Sequence, residues 1–287
     1  MLKQLLNFII HLRLHYQFFI LSGGYLLAAL FVEEVKWNQF WLQFLNVHLL
    51  LFGGATAYNS WWDKDEGPIG GLKSPPHMNR WMWPVSMLMQ YAGLIWAISI
   101  GWNYAIIYAI SMLFFWLYST PLARWKGKPL LSLVAIGVST GTNSFLLGFL
   151  SAGGHPITFL EDIIALGVAL ILLSLYPVSQ VFQTEEDSKR GDQTFAVKFG
   201  LKGVKWLFTV FFISGSAILS WGLVSVSGIL GYLFGGVSLL AYLGLLFFVW
   251  KLKGKSTEYP MVMRIKFVAS LSFVLFIIAT LGYRFLG

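Results

Sequence analysis

Nine runs of apolar residues, each close to the length of a membrane-spanning helix, constrain this chain more than any other feature. A helix needs about 20 apolar residues to cross the hydrocarbon core of a bilayer. The runs occupy residues 14–32, 41–62, 84–102, 103–118, 131–152, 160–183, 204–225, 228–250 and 264–285. The sequence therefore predicts an all-α integral membrane protein with about nine transmembrane helices, packed as one bundle in a single domain of residues 1–287.

The composition agrees with a fold that is surrounded by lipid. Hydrophobic residues make up 57% of the chain and charged residues only 11%, whereas about 25% of residues are charged in a typical soluble domain. A soluble fold with this composition would expose large apolar patches, which soluble monomers rarely do. The chain has no cysteine, which excludes disulfides, thiolate nucleophiles and cysteine-ligated metal sites.

The basic residues are segregated between the two sides of the predicted bundle. If the N-terminus lies in the cytoplasm, every Lys and Arg except Lys36 and Arg284 falls in a cytoplasmic segment. Because short cytoplasmic loops of membrane proteins are enriched in Lys and Arg, we predict a cytoplasmic N-terminus and a bacterial inner (cytoplasmic) membrane. The same segregation explains the net charge of +8, so we expect no nucleic-acid partner. The sequence does not indicate an oligomeric state.

Residues 1–13 differ from the apolar runs because apolar and polar side chains are mixed within them. This pattern indicates an amphipathic segment that lies at the membrane surface. His11 and His15 have a helical spacing that suits metal ligands, but no carboxylate lies near them in the sequence. We therefore expect neither haem nor zinc.

Two oxygen-rich clusters follow the second and sixth predicted spans, both on the predicted cytoplasmic side. The clusters comprise Asn59, Asp63, Asp65 and Glu66 in the first case, and Gln183 and Asp187 in the second. If the second helix continues to about residue 66, Asn59, Asp63 and Glu66 share one of its faces. Mg²⁺ is typically held by one or two carboxylates together with phosphate oxygens and waters. The clusters therefore predict a Mg²⁺ site for a phosphorylated substrate, the alternative being two ordinary helix ends that reach water.

Basic residues lie close to both clusters and to the segment that follows the fourth span. The candidates to neutralise a diphosphate are Lys73, Arg124, Lys126, Arg190 and Lys198. Carboxylates alone would repel a diphosphate, whereas carboxylates with Mg²⁺ and flanking cations would bind it. The alternative is that these residues are part of the general excess of cytoplasmic positive charge.

The two clusters resemble the signatures of a known family, the UbiA superfamily of intramembrane prenyltransferases. Its first signature, Asn-x-x-x-Asp-x-x-x-Asp, is matched by Asn59 and Asp63, with Gly67 at the third position. Its second signature, Asp-x-x-x-Asp, is matched by Asp187, with Gln183 in place of the first aspartate. Each departure removes one negative charge from the pattern.

A third segment, residues 118–126, is similar to the diphosphate-binding motif of the family, especially of its chlorophyll-synthase-like branch. The resemblance extends over nearly the whole chain. It implies a Mg²⁺-dependent transfer of a polyprenyl group from an allylic diphosphate to a hydrophobic aromatic, quinone-precursor or tetrapyrrole acceptor in the membrane. It also implies that Asp63, Asp187 and Tyr118 are catalytic, and that the two clusters hold the metal.

The implied ionisation of an allylic diphosphate needs aromatic walls that stabilise a carbocation and exclude water. Candidates near the motifs in sequence are Trp61, Trp62, Tyr118, Trp125 and Phe182. Two other functions stay open. An intramembrane terpene cyclase would share the diphosphate-ionising site, and a carrier of an anionic lipid would bind without chemistry.

Overall fold

Helices make up nearly all of the protein. The computed structural model describes residues 2–64 and 67–286, and within these ranges it contains no strand, only one isolated bridge between Ile69 and Leu72. The helices are α1 (Leu2–Leu21, interrupted at Arg13, which has a left-handed φ of 50°), α2 (Gly23–Phe31), α3 (Trp37–Asp63), α4 (Met82–Ile98), α5 (Trp102–Ser119), α6 (Pro129–Ala152), α7 (Phe159–Lys189), α8 (Phe195–Val226, kinked at Gly200), α9 (Gly228–Lys251) and α10 (Ser256–Phe285).

The long helices coincide with the predicted membrane spans. Within the described ranges, α3 and α6 to α10 are six helices long and apolar enough to cross a membrane, and α1 with α2, bent by 42°, forms a seventh candidate. The shorter helices α4 and α5 occupy the positions of the third and fourth predicted spans. The prediction of an all-helical fold is confirmed. In the described ranges, by length and composition alone, the candidate spans number up to seven, against about nine in the prediction.

Local sequence sets the ends of the helices that lead into the predicted site. Pro129 begins α6, where its missing N–H costs nothing, and Gly153 ends it with a φ of 101°. Thr158 caps α7 together with Glu161, in a reciprocal capping box. Thr194 caps α8, with its hydroxyl accepting from the backbone N–H of Val197. Of these residues, Thr194 is the one that ends the loop after the second motif.

The end of the second helix decides whether the oxygen-rich residues of the first cluster share one face. Helix α3 ends at Asp63, because Lys64 adopts a left-handed conformation with a φ of 48°, which a right-handed helix cannot continue. Asn59 and Asp63 lie one turn apart on α3, which ends before position 66. Asp65 and Glu66 lie outside the described residues, so their predicted metal ligation stays a prediction.

The amphipathic N-terminal segment packs against the loop that follows α3. One face of this helix exposes Leu2, Leu5, Leu6, Ile9 and Ile10. On the other face, the ring of His11 hydrogen-bonds the carbonyl of Pro76 at 2.7 Å and Asn7 donates to the carbonyl of His77 at 3.2 Å. The segment thus supports the loop of the first motif. Its location at a membrane surface stays a prediction.

A close contact between helices α2 and α6 depends on Gly148. A Cβ added at this position would collide with the backbone carbonyl of Tyr25 and lie 3.0 Å from the Cβ of Ala28. Because interiors tolerate overpacking poorly, only glycine allows these two backbones to approach so closely.

We expect Gly148→Ala to lower the Tm of the purified protein in detergent by several degrees, since overpacking typically costs about 1–3 kcal/mol. Gly244→Ala is the matched control, because a Cβ there meets nothing within 4 Å and alanine favours a helix by about 1 kcal/mol. Thermal unfolding followed by tryptophan fluorescence measures both. An unchanged Tm for Gly148→Ala would contradict the packing described here.

Candidate active site

One cavity of about 310 Å³ lies at the centre of the predicted site. Its polar wall includes seven of the residues singled out from the sequence, namely Asn59, Asp63, Tyr118, Lys126, Gln183, Asp187 and Arg190. Its apolar wall includes Phe212, Phe234, Phe273 and Phe276. The cavity therefore combines charged groups from both motifs with a wall suited to a hydrocarbon chain.

The first motif lies at the end of α3 and is joined to the segment after α5. Asp63 forms an ion pair with Lys126, and the two side chains are only 6% and 12% exposed. Asn59 donates to the hydroxyl of Ser119 at 3.1 Å. These contacts bring the third motif-like segment directly against the first motif.

The second motif lies at the end of α7, where the helix tightens over Pro177–Gln183 before its last turn. Asp187 accepts a hydrogen bond of 3.2 Å from the hydroxyl of Thr194, and it interacts electrostatically with Lys126. Gln183 donates to the carbonyl of Pro68 at 3.2 Å. The two motifs, about 120 residues apart in the chain, therefore meet across one cavity.

The hydroxyl of Tyr118 forms a 3.1 Å hydrogen bond with the hydroxyl of Tyr176. Both rings line the cavity between the two motifs. The structure thus places Tyr118, predicted to be catalytic, at the polar end of the cavity. Tyr176, its partner, was not identified from the sequence.

Arg124 lies beside the cavity but is not part of its lining. Its guanidinium binds Asp192 with two hydrogen bonds of 2.7 Å, and this contact raises the pKa of Arg124 above its ordinary value. A Cβ at Gly127 would lie 2.5 Å from Oδ1 of Asp192, so glycine provides the space for this ion pair. The pair ties the segment after α5 to the loop after α7.

We expect Arg124→Gln and Asp192→Asn each to lower the Tm by several degrees, because each leaves a partly buried charge without its partner. The double variant should be little less stable than either single variant. The reason is that the two side chains should be coupled by about 1–2 kcal/mol, as expected for an ion pair with two hydrogen bonds. Thermal unfolding of the four proteins in detergent gives the comparison. Additive losses would show that the two side chains act independently.

Several residues singled out from the sequence lie away from the cavity. Lys73 and Lys198 are exposed on loop and helix surfaces, and neither lines the cavity. Of the aromatic residues proposed for the carbocation wall, only Tyr118 lines the cavity; the others, Trp61, Trp62, Trp125 and Phe182, do not. Proximity in sequence to a motif was a poor guide to which rings face the cavity.

The structure also adds basic residues to the cavity wall that the motifs did not indicate. Arg13 and Lys266, from the first and last helices, both line it and are only 8% and 6% exposed. In the sequence they were counted only as cytoplasmic positive charge. Their separation from the motifs along the chain concealed their place in the site.

The oxygen donors of the cavity fit a Mg²⁺ ion that binds together with a phosphorylated substrate. Among residues 2–64 and 67–286, no three His, Asp or Glu side chains are grouped as a complete metal site. Asp63 and Asp187, however, line one cavity with the amide side chains of Asn59 and Gln183. Mg²⁺ needs only one or two carboxylates when phosphate oxygens and waters complete its shell.

Comparison with known families identifies the chain. The model of the UbiA prenyltransferase family matches residues 18–271. The chain belongs to the UbiA prenyltransferase family. Membership, together with the long apolar helices, makes it an integral multi-pass membrane protein. No curated protein sequence matches it.

Solved structures of UbiA proteins share the fold. A UbiA homologue from Archaeoglobus fulgidus bound to GPP and Mg²⁺ is 15% identical, with a TM-score of 0.73 over 96% of this chain and 99% of that chain. The homologue bound to DMAPP and Mg²⁺ is 14% identical, with a TM-score of 0.69 over 94% and 99%. A structure of digeranylgeranylglyceryl phosphate synthase is 21% identical, with a TM-score of 0.63 over 96% and 98%.

The departure from the UbiA signature at Gly67 has a local explanation. A Cβ at Gly67 would lie 3.0 Å from Oε2 of Glu186, and Oε1 of Glu186 binds Arg190 at 2.5 Å. An aspartate at position 67 would bring a second carboxylate against Glu186, and like charges at this distance repel. The second motif thus supplies a carboxylate beside the position where the first motif lacks one.

Proposed function

We propose that this protein transfers a polyprenyl group from an allylic isoprenoid diphosphate to an aromatic, quinone-precursor or tetrapyrrole acceptor within the membrane. The observation that carries the proposal is the single cavity, in which both UbiA motifs form one wall and phenylalanine rings form another. A prenyl diphosphate has the same division between a charged head and a hydrocarbon tail. The A. fulgidus homologue bound to GPP and Mg²⁺ supports this reading.

The polar wall would bind the diphosphate. Asp63 and Asp187, with Asn59 and Gln183, would hold Mg²⁺, which when bound neutralises the diphosphate oxygens as a Lewis acid. Lys126, which lines the same wall, places an ammonium where negative charge develops on the leaving group. Asp65 and Glu66 remain proposed ligands beside this set.

The other residues proposed to neutralise the diphosphate differ in whether they line the cavity. Arg190 lines the cavity while bound to Glu186, so it can contact the diphosphate directly. Arg124, held by Asp192, acts by positioning the segment that carries Lys126. Lys73 and Lys198 are exposed, so their contribution is limited to long-range attraction, which salt screens.

The apolar wall would hold the prenyl chain and protect the allylic cation from water. The aromatic residues that line the cavity include Phe115, Tyr118, Phe234, Phe273 and Phe276. Aromatic faces stabilise a cation, and exclusion of water prevents its hydrolysis. Tyr118 interacts electrostatically with both Asp63 and Asp187, and we propose that its hydroxyl contacts the reacting diphosphate.

We further propose a topology in which the polar end of this cavity faces the cytoplasmic side of the membrane. With α4 and α5 counted as spans, the protein crosses a bacterial inner membrane nine times as one domain, with a cytoplasmic N-terminus and both motif loops on the cytoplasmic side. The segregation of Lys and Arg supports this arrangement. Reporter fusions test it, and residues 67–83 and 184–203 on opposite faces of the membrane would contradict it.

Pyrophosphate release tests the proposed reaction. The purified protein is incubated in detergent with geranylgeranyl diphosphate and Mg²⁺, with and without a panel of aromatic acceptors, and the products are identified by mass. Release that requires an acceptor, and that is lost in Asp63→Ala and Asp187→Ala, supports the transferase. Release without an acceptor would indicate a terpene cyclase. No release with donors of any length would leave the carrier of an anionic lipid as the better explanation.

A further inference from the structure

Lys266 is a buried cation of the cavity wall that the proposed diphosphate site does not use. It lies on α10, lines the cavity and is 6% exposed. Its ammonium contacts the hydroxyl of Tyr16 and lies 4.8 Å from the centre of that ring. Within residues 2–64 and 67–286, Lys266 forms no ion pair with a carboxylate.

Three other cations near the motifs differ from Lys266, because each is paired with a carboxylate. Lys126 is paired with Asp63, Arg190 with Glu186 and Arg124 with Asp192. A buried ammonium without a negative partner is costly, because it has lost its hydration without gaining a countercharge. An anionic ligand would supply that countercharge, and the interaction would be strong in a site shielded from water.

Lys266 belongs to a part of the cavity wall that comes from the first and last helices and not from the motifs. Tyr16 and Arg13, on α1, also line the cavity, and both lie 3.7 Å from where a Cβ of Gly70 would be. Arg13 is held in place by hydrogen bonds of 2.9 Å to Ser60 and 3.1 Å to the carbonyl of Gly70. Positive charge from the first and last helices therefore meets the loop of the first motif.

We infer that Lys266, with Tyr16 and Arg13, binds an acid group of the acceptor, either a carboxylate or a phosphate. The inference rests on the proposed function, in which the motif residues bind the donor and a second substrate must share the cavity. An acid on the acceptor would be bound by the Lys266 ammonium and the Tyr16 hydroxyl, while the reacting part of the acceptor faces the allylic carbon. The acceptor is thereby assigned to the class of acidic molecules, and neutral analogues should bind poorly.

Equilibrium binding in the absence of a donor tests this inference independently of turnover. Isothermal titration calorimetry in detergent compares two matched pairs of probes, para-hydroxybenzoate with its methyl ester and phenyl phosphate with phenol. For at least one pair, we expect the wild-type protein to bind the acid about tenfold more tightly than the neutral partner, as for a hydrogen bond to a charged group. If neither acid is preferred, the inference is overturned without any need for a variant.

Variants then assign the preference to Lys266. Lys266→Met should abolish it and Lys266→Arg should retain part of it, whereas Arg264→Met, an exposed cation two residues earlier on the same helix, should leave it unchanged. Tyr16→Phe should weaken acid binding even if Lys266→Met does not fold. A preference that survives Lys266→Met would overturn the inference.

Inorganic pyrophosphate with Mg²⁺ serves as the probe for the donor head. We expect its affinity to be unchanged in Lys266→Met. An equal loss of pyrophosphate and acid affinity would place Lys266 in the diphosphate site and overturn the assignment to the acceptor. Because no probe here is turned over, a failure of the proposed reaction would not affect these results.

Discussion

Replacing Asp187 with asparagine is expected to lower kcat/KM for the prenyl diphosphate by about 10²–10³-fold, the usual effect of removing one electrostatic contact from a reacting group. The substitution keeps the size of the side chain and an oxygen that can accept from Thr194, so it removes mainly the negative charge. Asp187 lines the cavity together with Asp63, and the proposed metal needs both carboxylates. Pyrophosphate release at varied Mg²⁺ concentration measures the loss and the expected rise in Mg²⁺ requirement.

Glu185→Gln is the matched control for this prediction. Glu185 lies two residues before Asp187 but is 75% exposed, and its hydrogen-bonded ion pair is with Lys189, which is itself 74% exposed. Exposed pairs of this kind contribute little to stability, so the variant should keep its Tm and its activity. Near-normal activity in Asp187→Asn, or an equal loss in Glu185→Gln, would contradict the role proposed for the cavity carboxylates.

Replacing Lys126 with glutamine is expected to lower kcat by about 10²-fold, because the leaving group loses a cation placed beside it. Lys126 is 12% exposed and pairs with Asp63, so its charge is shielded from bulk water and acts strongly. The affinity for pyrophosphate with Mg²⁺ should fall in the same variant. The Tm of the variant, measured in parallel, separates a direct role at the diphosphate from a general loss of structure.

Lys128→Gln provides the control, since Lys128 is exposed and lies two residues further along the same segment. Both variants remove one positive charge from the same segment, so any effect of overall charge is shared between them. Lys126→Gln alone should be defective. Equal activities of the two variants would contradict the role proposed for Lys126 as a cation of the cavity.

The positions of the helices were predictable from the sequence because a membrane imposes a simple requirement. Backbone groups in lipid must be hydrogen-bonded within the protein, so long apolar runs fold as helices, and the runs at 131–152 and 228–250 agree with α6 and α9 within a few residues. The end of α3 was less predictable. Lysine rarely adopts the left-handed conformation that Lys64 has, and nothing in its side chain signals it.

The site residues that belong to a short motif could be predicted from the sequence. Those that reach the cavity from distant parts of the chain could not. Asp63 and Asp187 were identified and do line one cavity. Lys266 and Tyr16 are 250 residues apart, and in sequence Lys266 resembles the other lysines that lie between the apolar runs or at their ends. Only packing distinguishes it from Lys198, which is exposed.

The hydrogen bond from Gln183 to the carbonyl of Pro68 has a consequence for the energetics of binding. An aspartate at position 183, as in the family signature, would offer only acceptor oxygens to that carbonyl; the amide of glutamine donates, and so it fastens the loop after α3 to the end of α7. A loop held in this way has already lost much of its conformational entropy. The substrate then need not supply the free energy to order it, and more of the intrinsic interaction energy appears as affinity.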